Sequence, residues 1–524
     1  MSELHDQIPA IHNAPVALGT LVERLRQRGV AVDVAGPTDA LIQDVTIDSR
    51  TAAEGVLFAA ISPDTHVGRD GHDFVDDALA RGATAALVSD EWLRQRPEAD
   101  ASSAPAPLGK GERLPGAAFV STRDTRAALA EVAADVYGRP GDALTLLGVT
   151  GTNGKTTTVF LLHHLLTALG ATTGLVGTVE NRIGTERYAT QFTTPEAPAL
   201  QRLLRAMDEA GCTHAAMEVS SHGLALSRVG GLRFAVAVFT NLTQDHLDYH
   251  GSMAEYEAAK KSLFDGLDAD AVAVVNADDP AHARMTADTA ARVVTFGTSP
   301  EADVRVEVLA NEIDGLTLRL DGVERRFGLA GRFNALNLAA AYAAGVALGY
   351  DTSAVLDALA EARGVPGRFE TVRGGGVLGV VDYAHTPDAL DNVLATAREI
   401  VPAGRQLWAV FGCGGDRDAG KRPLMAQVAE ARADRVVLTS DNPRTEDPEA
   451  ILDDVEAGLA EPEAATRIAS REDAIRYAIA HAEAGDVVVV AGKGHETYQI
   501  VGTVKRHFDD REILRSALST PEAA

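Results

Sequence analysis

The stretch Leu144-Thr145-Leu146-Leu147-Gly148-Val149-Thr150-Gly151-Thr152-Asn153-Gly154-Lys155-Thr156-Thr157 changes character twice. Leu144 to Val149 is an apolar run of strand length, the residues from Thr150 to Thr157 form a polar, glycine-bearing turn, and 158–169 read as an apolar helix. Strand, turn and helix in that order make a phosphate receptor. Glycines let backbone N–H groups approach phosphate oxygens, the helix amino terminus adds positive potential, Lys155 offers a cation, and the Thr156 hydroxyl can ligate Mg²⁺. The expected lining of a nucleoside triphosphate site is Gly151, Thr152, Asn153, Gly154, Lys155, Thr156 and Thr157. The general phosphate-loop pattern asks for glycine five positions before Gly154, where this chain has Val149.

Outward from this loop, strand-like apolar segments alternate with Ala- and Leu-rich helical ones, the pattern of parallel sheets covered by helices. An α/β chain of 524 residues exceeds what one core organises, so three domains are expected. We place them at 1–120, 121–366 and 367–524, the central one a phosphate-loop sheet and the last Rossmann-like. Residues 96–116, rich in Pro, Ala, Ser and Gly, read as a mobile surface loop near the end of the first. Residues 364–367 mark the second break, after a helical segment over 337–362.

A net charge of -27 argues against nucleic acid as a partner, because a phosphate backbone is bound through accumulated Lys and Arg. Residues 1–13 lack an apolar signal core, and no uninterrupted apolar run reaches membrane-spanning length, so neither export nor membrane insertion is expected. Cys212 and Cys413 are the only cysteines, too few for a disulfide framework and consistent with a reducing, cytoplasmic setting.

Two further strands are expected to end in polar residues, one at Glu218-Val219-Ser220-Ser221-His222 and one shortly before Asp245-His246. A carboxylate and an imidazole leaving adjacent strand ends beside a phosphate loop can coordinate Mg²⁺, although a histidine in a polar loop is also often a plain hydrogen-bonding residue. The helix 253–264 carries two lysines on different faces. Lys261 pairs with Glu257 at i, i+4 spacing and is expected to be solvated; Lys260 shares a stripe with Tyr256 and Phe264. There an unpaired ammonium is costly, unless its stem packs while its head reaches water.

Thr150 to Thr156, spelled Thr-Gly-Thr-Asn-Gly-Lys-Thr, resembles the Mur ligases and their folylpolyglutamate synthetase relatives. The resemblance implies that Lys155, Glu218, His246 and Lys260 form the catalytic set. Thr156, Glu218, His246 and a carbamate formed on Lys260 would ligate two Mg²⁺ ions. It further implies that Asn334 contacts adenine, that Arg368 reaches the ATP phosphates, and that Asp382 meets the ribose when the third domain closes. Asn337 could equally cap the helix it opens with Asn334, for which the nucleotide contact is the preferred reading, and Arg368 with Glu370 could be a surface ion pair.

The segment Val45-Thr46-Ile47-Asp48-Ser49-Arg50 belongs to a first domain that folylpolyglutamate synthetases lack, which favours a UDP-linked substrate with Ser49 on the uridine side. Thr193, Thr194, Ser220 and Arg228 match residues that hold the muramoyl dipeptide. In the third domain, Gly412 to Pro423, Asp441-Asn442-Pro443-Arg444 and Gly492-Lys493-Gly494-His495-Glu496 each follow a strand. Read alone, Asp441-Asn442-Pro443 is also a good turn former. With Arg417 and Arg444 for a carboxylate, and Asp441, Asn442 and Glu496 for an ammonium, these loops suit the distal end of meso-diaminopimelate, with Pro443 and Gly492 shaping them.

The resemblance therefore implies a monomeric, ATP-dependent amide ligase that joins meso-diaminopimelate to a UDP-linked muramoyl dipeptide in peptidoglycan synthesis. It would act through an acyl phosphate. A folylpolyglutamate-type ligase would not need the first domain. A nucleotide-binding switch protein would need neither Lys260 nor the diaminopimelate loops.

Overall fold

The computed structural model describes residues 4–5, 7–63, 69–95, 117–312 and 315–519. The 96–116 segment read as a surface loop lies outside the described residues. Two compact units are present, Met1–Thr295 with Ala343–Tyr350, and Phe296–Tyr342 with Asp351–Ala524.

The first unit holds two large sheets, beside a two-stranded pair of Val16–Ala17 with Leu41–Ile42. In the smaller, strands Val32–Ala35, Ala118–Thr122, Ala85–Ser89, Val56–Ala59 and Asp44–Thr46 lie side by side in that order. All pairings are parallel except that of Val32–Ala35. The helix Leu18–Gln27 turns Leu18, Leu21, Val22 and Leu25 inward, and these join Leu129, Val132 and Val136 of the helix Thr125–Val136 in one core.

The larger sheet is centred on Thr145–Thr150, flanked in parallel by His214–Glu218 and Phe234–Phe239. Thr173–Val176 and Val272–Asn276 extend it in parallel on either side. Between their polar ends these strands are apolar and buried because helices cover both faces, which is why they read as continuous runs rather than alternating ones. Every parallel strand ends on the same edge, so Thr150, Glu218 and Phe239 deliver their following loops to one place. Within this unit Asp44 ties the two sheets together, accepting from the Tyr137 hydroxyl and from Arg202 Nη2 at 2.5 Å.

Two local readings change. Glu257 pairs with Arg284 rather than Lys261, and Lys261 bonds Asp265 and Asp288. The expected helix over 337–362 is two helices, Phe333–Ala347 and Thr352–Ala360, the second capped by Asp351.

The second unit contains an antiparallel set, Val304–Glu312, Gly315–Leu320 and Val323–Phe327, and a six-stranded sheet. That sheet runs Glu370–Gly374, Val377–Asp382, Val487–Ala491, Leu407–Phe411, Arg435–Leu438, Thr466–Arg467, parallel except at its first strand. Parallel sheets clothed by helices make the chain α/β, as the alternation of segments predicts. Beneath the strand ends lies a wholly buried ion pair. Arg471 donates through Nε and Nη2 to Asp510 at 2.8 and 2.7 Å, and Nη2 also reaches the Ala491 carbonyl at 2.9 Å. Removing one member leaves an uncompensated charge in the core. Arg471→Leu is expected to cost about 3–5 kcal/mol, read from urea unfolding of the variant against the parent.

Candidate active site

At the end of Thr145–Thr150 the chain turns sharply at Gly151, whose φ of 146° and closeness to Thr240 leave no room for a side chain; a Cβ would lie 1.9 Å from Thr240 Oγ1. The turn is pinned from the neighbouring strand's loop. Thr152 N donates to Asn241 O at 2.8 Å, Asn153 N to Asn241 Oδ1 at 2.9 Å, and Thr240 Oγ1 to Asn153 O at 2.6 Å. Thr156 and Thr157 lie in the first turn of the helix Lys155–Ala168 that follows Gly154.

Two ammonium groups meet at this turn. Lys155 Nζ donates to the carbonyls of Gly151 and Thr152 at 2.9 and 2.8 Å, and Lys260 Nζ donates to the same Gly151 carbonyl at 2.8 Å. Lys260 is 1% exposed and lies 4.4 Å from the centre of the Tyr256 ring, so it does not reach water. Burial, reinforced by the Lys155 charge and opposed by Asp245, pushes its pKa well below the ordinary lysine value. The neutral amine is correspondingly favoured.

Glu218, also buried, accepts from Thr156 Oγ1 at 3.0 Å and from Thr178 through both N and Oγ1, at 2.7 and 3.1 Å. Thr193 Oγ1 lies 2.9 Å from Thr178 Oγ1. Thr194 Oγ1 donates to the Glu218 carbonyl at 2.9 Å and accepts from Ser220 N at 3.0 Å; its own carbonyl accepts from Arg228 Nη1 at 2.9 Å. The phosphate turn, Glu218 and the Thr193–Ser220–Arg228 set are thus one connected network. His246 stands at the rim, half-exposed and in the left-handed backbone region, with its ring 4.8 Å from that of His222. Burial, with the charges of Lys155 and Lys260, lowers its pKa against the pull of Asp245. Ser49 sits apart in the smaller sheet's loop, its hydroxyl donated to Asp77 at 3.1 Å.

The second unit gathers the other candidates. Lys493 is completely buried, and its Nζ donates to Glu496 Oε2 at 3.0 Å, Asn442 Oδ1 at 3.2 Å and Asp441 Oδ1 at 3.4 Å. Asn442 Nδ2 also donates to Glu496 Oε2 at 3.0 Å, and the hairpin Tyr498–Val501 with Val504–His507 grips the same loop through Gln499 and Ile500. Arg444, at φ 51°, reaches the Gly415 carbonyl at 2.7 Å, and Pro443 and Gly492 pack into the same loops. Arg417 is exposed beside Asp416.

Arg368 lies over the Tyr383 ring at 4.8 Å, with His495 on the same ring at 5.1 Å. Gly367 and Gly494 are in direct backbone contact, where a Cβ on Gly367 would come 2.1 Å from Gly494 C. Glu370 pairs with Arg515, not with Arg368. Asp382 accepts from the backbone N–H groups of Phe369 and Ala384. Asn334 and Asn337 are both buried, and their amides donate, to the Ala330 carbonyl and to Asn334 Oδ1, which is not how an asparagine caps a helix. Thr178, Gln499 and Lys493 were not singled out from sequence; Lys493 stood inside a recognised motif with no role assigned.

Residues 149–345 match the Mur ligase middle domain, and residues 367–494 match the Mur ligase glutamate ligase domain. UDP-N-acetylmuramoyl-L-alanyl-D-glutamate–2,6-diaminopimelate ligase of Geobacillus kaustophilus is 46% identical, covering 90% of this chain and 94% of the relative. The chain belongs to the Mur ligase family. The Cytophaga hutchinsonii protein of the same name is 42% identical over 93% of this chain and 97% of its own. Among solved Mur ligases, one titled as a ligase of this name shares 35% identity and a TM-score of 0.66, covering 96% of this chain and 99% of that one. The turn at Gly151 is among the tightest approaches of this Mur ligase's described glycines. Gly151→Ala is expected to weaken ADP binding about tenfold to a hundredfold through strain alone, as measured by calorimetric titration.

Proposed function

We propose that the chain is an ATP-dependent, ADP-forming amide ligase that adds meso-diaminopimelate to UDP-N-acetylmuramoyl-L-alanyl-D-glutamate in peptidoglycan synthesis. The observation that carries this is likeness along nine-tenths of the chain to ligases of that name. Residues 1–120 would take the UDP moiety, with Ser49 on the uridine side, 121–366 ATP, and 367–524 the amino acid. The reading goes with a cytoplasmic monomer; among the described residues no helix is long and apolar enough to cross a membrane.

In this reading the D-glutamate γ-carboxylate attacks the ATP γ-phosphate, and Lys155 with the turn's backbone N–H groups spreads the charge that develops. Asn334, Arg368 and Asp382 would hold the adenine, phosphates and ribose, and Thr193, Thr194, Ser220 and Arg228 the muramoyl dipeptide. The free amine of diaminopimelate then attacks the acyl phosphate, and phosphate departs as the amide forms. Arg444 and Arg417 suit the distal carboxylate, and Asp441, Asn442 and Glu496 the distal ammonium. Arg444 would otherwise face an aliphatic chain if lysine were offered.

The donor set fits Mg²⁺. Thr156 and Glu218 are hard oxygen donors 3.0 Å apart at the phosphate turn, and His246 is held toward its neutral, lone-pair-bearing form. Lys260 is a buried amine whose pKa is driven down, the state that reacts with carbon dioxide, so a carbamate there fits its surroundings. When bound, two Mg²⁺ ions would neutralise the phosphate charge, with a carbamate on Lys260 as an anionic ligand.

Incubation with ATP, Mg²⁺ and the UDP-linked dipeptide, with and without diaminopimelate, tests the reading: ADP and the tripeptide product should appear only in the complete mixture. Lysine in place of diaminopimelate should lower kcat/KM about 100-fold or more, and comparable kinetics would refute the amino-acid assignment. Lys260→Ala should be inactive and partly restored by short carboxylates. Full activity in that variant would remove the carbamate.

A further inference from the structure

Two arginines of the first unit face one carboxylate between them. Arg228 Nη2 lies 2.6 Å from Glu196 Oε1, and Arg126 Nη1 lies 3.7 Å from Glu196 Oε2. Arg126 comes from the first turn of the helix Thr125–Val136, far in sequence from the strand-end loops that carry Thr194, Ser220 and Arg228. Its Nη2 donates to the Ser62 carbonyl at 3.2 Å. Both guanidinium groups are largely covered, at 17% and 11% exposure.

Despite that burial, Arg126 Nη1 and Arg228 Nε make no hydrogen bond among the described residues. A buried donor left without an acceptor costs about 1–3 kcal/mol, and such groups persist where something else supplies the acceptor. The pair also carries more positive charge than Glu196 balances, in a chain whose net charge is -27. Phe192, half exposed, lies 5.1 Å from the Arg228 guanidinium, so an apolar face adjoins the cationic one. Uncommitted donors, surplus positive charge and an adjacent ring are what an oxyanion on a carbohydrate or nucleotide scaffold requires.

We propose that Arg126 completes an anion subsite with Arg228 and binds an oxyanion of the UDP-linked dipeptide, either pyrophosphate or peptide carboxylate. The proposal rests on the ligase reading above. It assigns Arg126 to substrate recognition, with Glu196 orienting the two guanidinium groups.

The test uses the full chain, its R126A and R126K variants, and calorimetric titration with UDP-N-acetylmuramoyl-L-alanyl-D-glutamate. R126A should bind about 10- to 100-fold more weakly, with Tm and the KM values for ATP and diaminopimelate unchanged, and R126K should recover part of the loss. Competition with UDP and with free L-alanyl-D-glutamate identifies the oxyanion, as the competitor whose affinity falls in R126A. Unchanged affinity in R126A overturns the subsite. So does a lowered Tm with parallel loss for all three substrates, which would make Arg126 a structural residue. Absence of turnover by the unaltered chain would instead sink the ligase reading, and the titration separates the two failures.

Discussion

The carbonyl oxygen of Gly151 accepts from two lysine ammonium groups at once, Lys155 at 2.9 Å and Lys260 at 2.8 Å. Like charges this near each other, one of them fully buried, are unfavourable unless anions join them or one group gives up its proton. Much of the first unit is arranged around that tension. The central strand must end where its neighbours end, so that Thr240 and Asn241 can pin the turn. Gly151 must lack a side chain, because Thr240 already occupies the space. Glu218 is then brought to Thr156 by the adjacent strand, supplying negative charge and oxygen donors beside the cations.

The second unit solves the opposite problem. Asp441 and Glu496 bring two carboxylates together, and the buried Lys493 holds them, with Asn442 oriented between cation and carboxylate. The cluster keeps one negative charge in excess, which under the proposed ligase reading would suit an incoming ammonium, and Arg444 on the same loop would then meet a carboxylate. A zwitterionic amino-acid end is complementary to that pattern in a way that a lone amine is not.

What could be read in advance follows from how local each feature is. The phosphate turn was legible because strand, glycines, lysine and helix are contiguous. Lys260 was legible because helical periodicity alone puts it with Tyr256 and Phe264, and its burial agrees. The same periodicity misled for Lys261, since Arg284 and Asp288, which claim Glu257 and Lys261, come from a later segment. Lys493 was quoted but given no role because two of its partners, Asp441 and Asn442, lie more than fifty residues away. The pairings of Arg126 with Glu196 and of Arg471 with Asp510 were invisible for the same reason. Side-chain partners across long separations are set by how helices pack on sheets, and no short pattern records that.

Arg471 holds the Ala491 carbonyl with the nitrogen that also grips Asp510, so the strand end leading to Lys493 and Glu496 is anchored by a residue far along the chain. As the protein emerges from a ribosome, the first unit, whose last residue is Tyr350, has every segment it needs long before position 510 is made. The six-stranded sheet of the second unit has to wait for that aspartate. Synthesis therefore imposes a temporal order: a nascent chain can close the turn at Gly151 well before the loops around Lys493 are anchored.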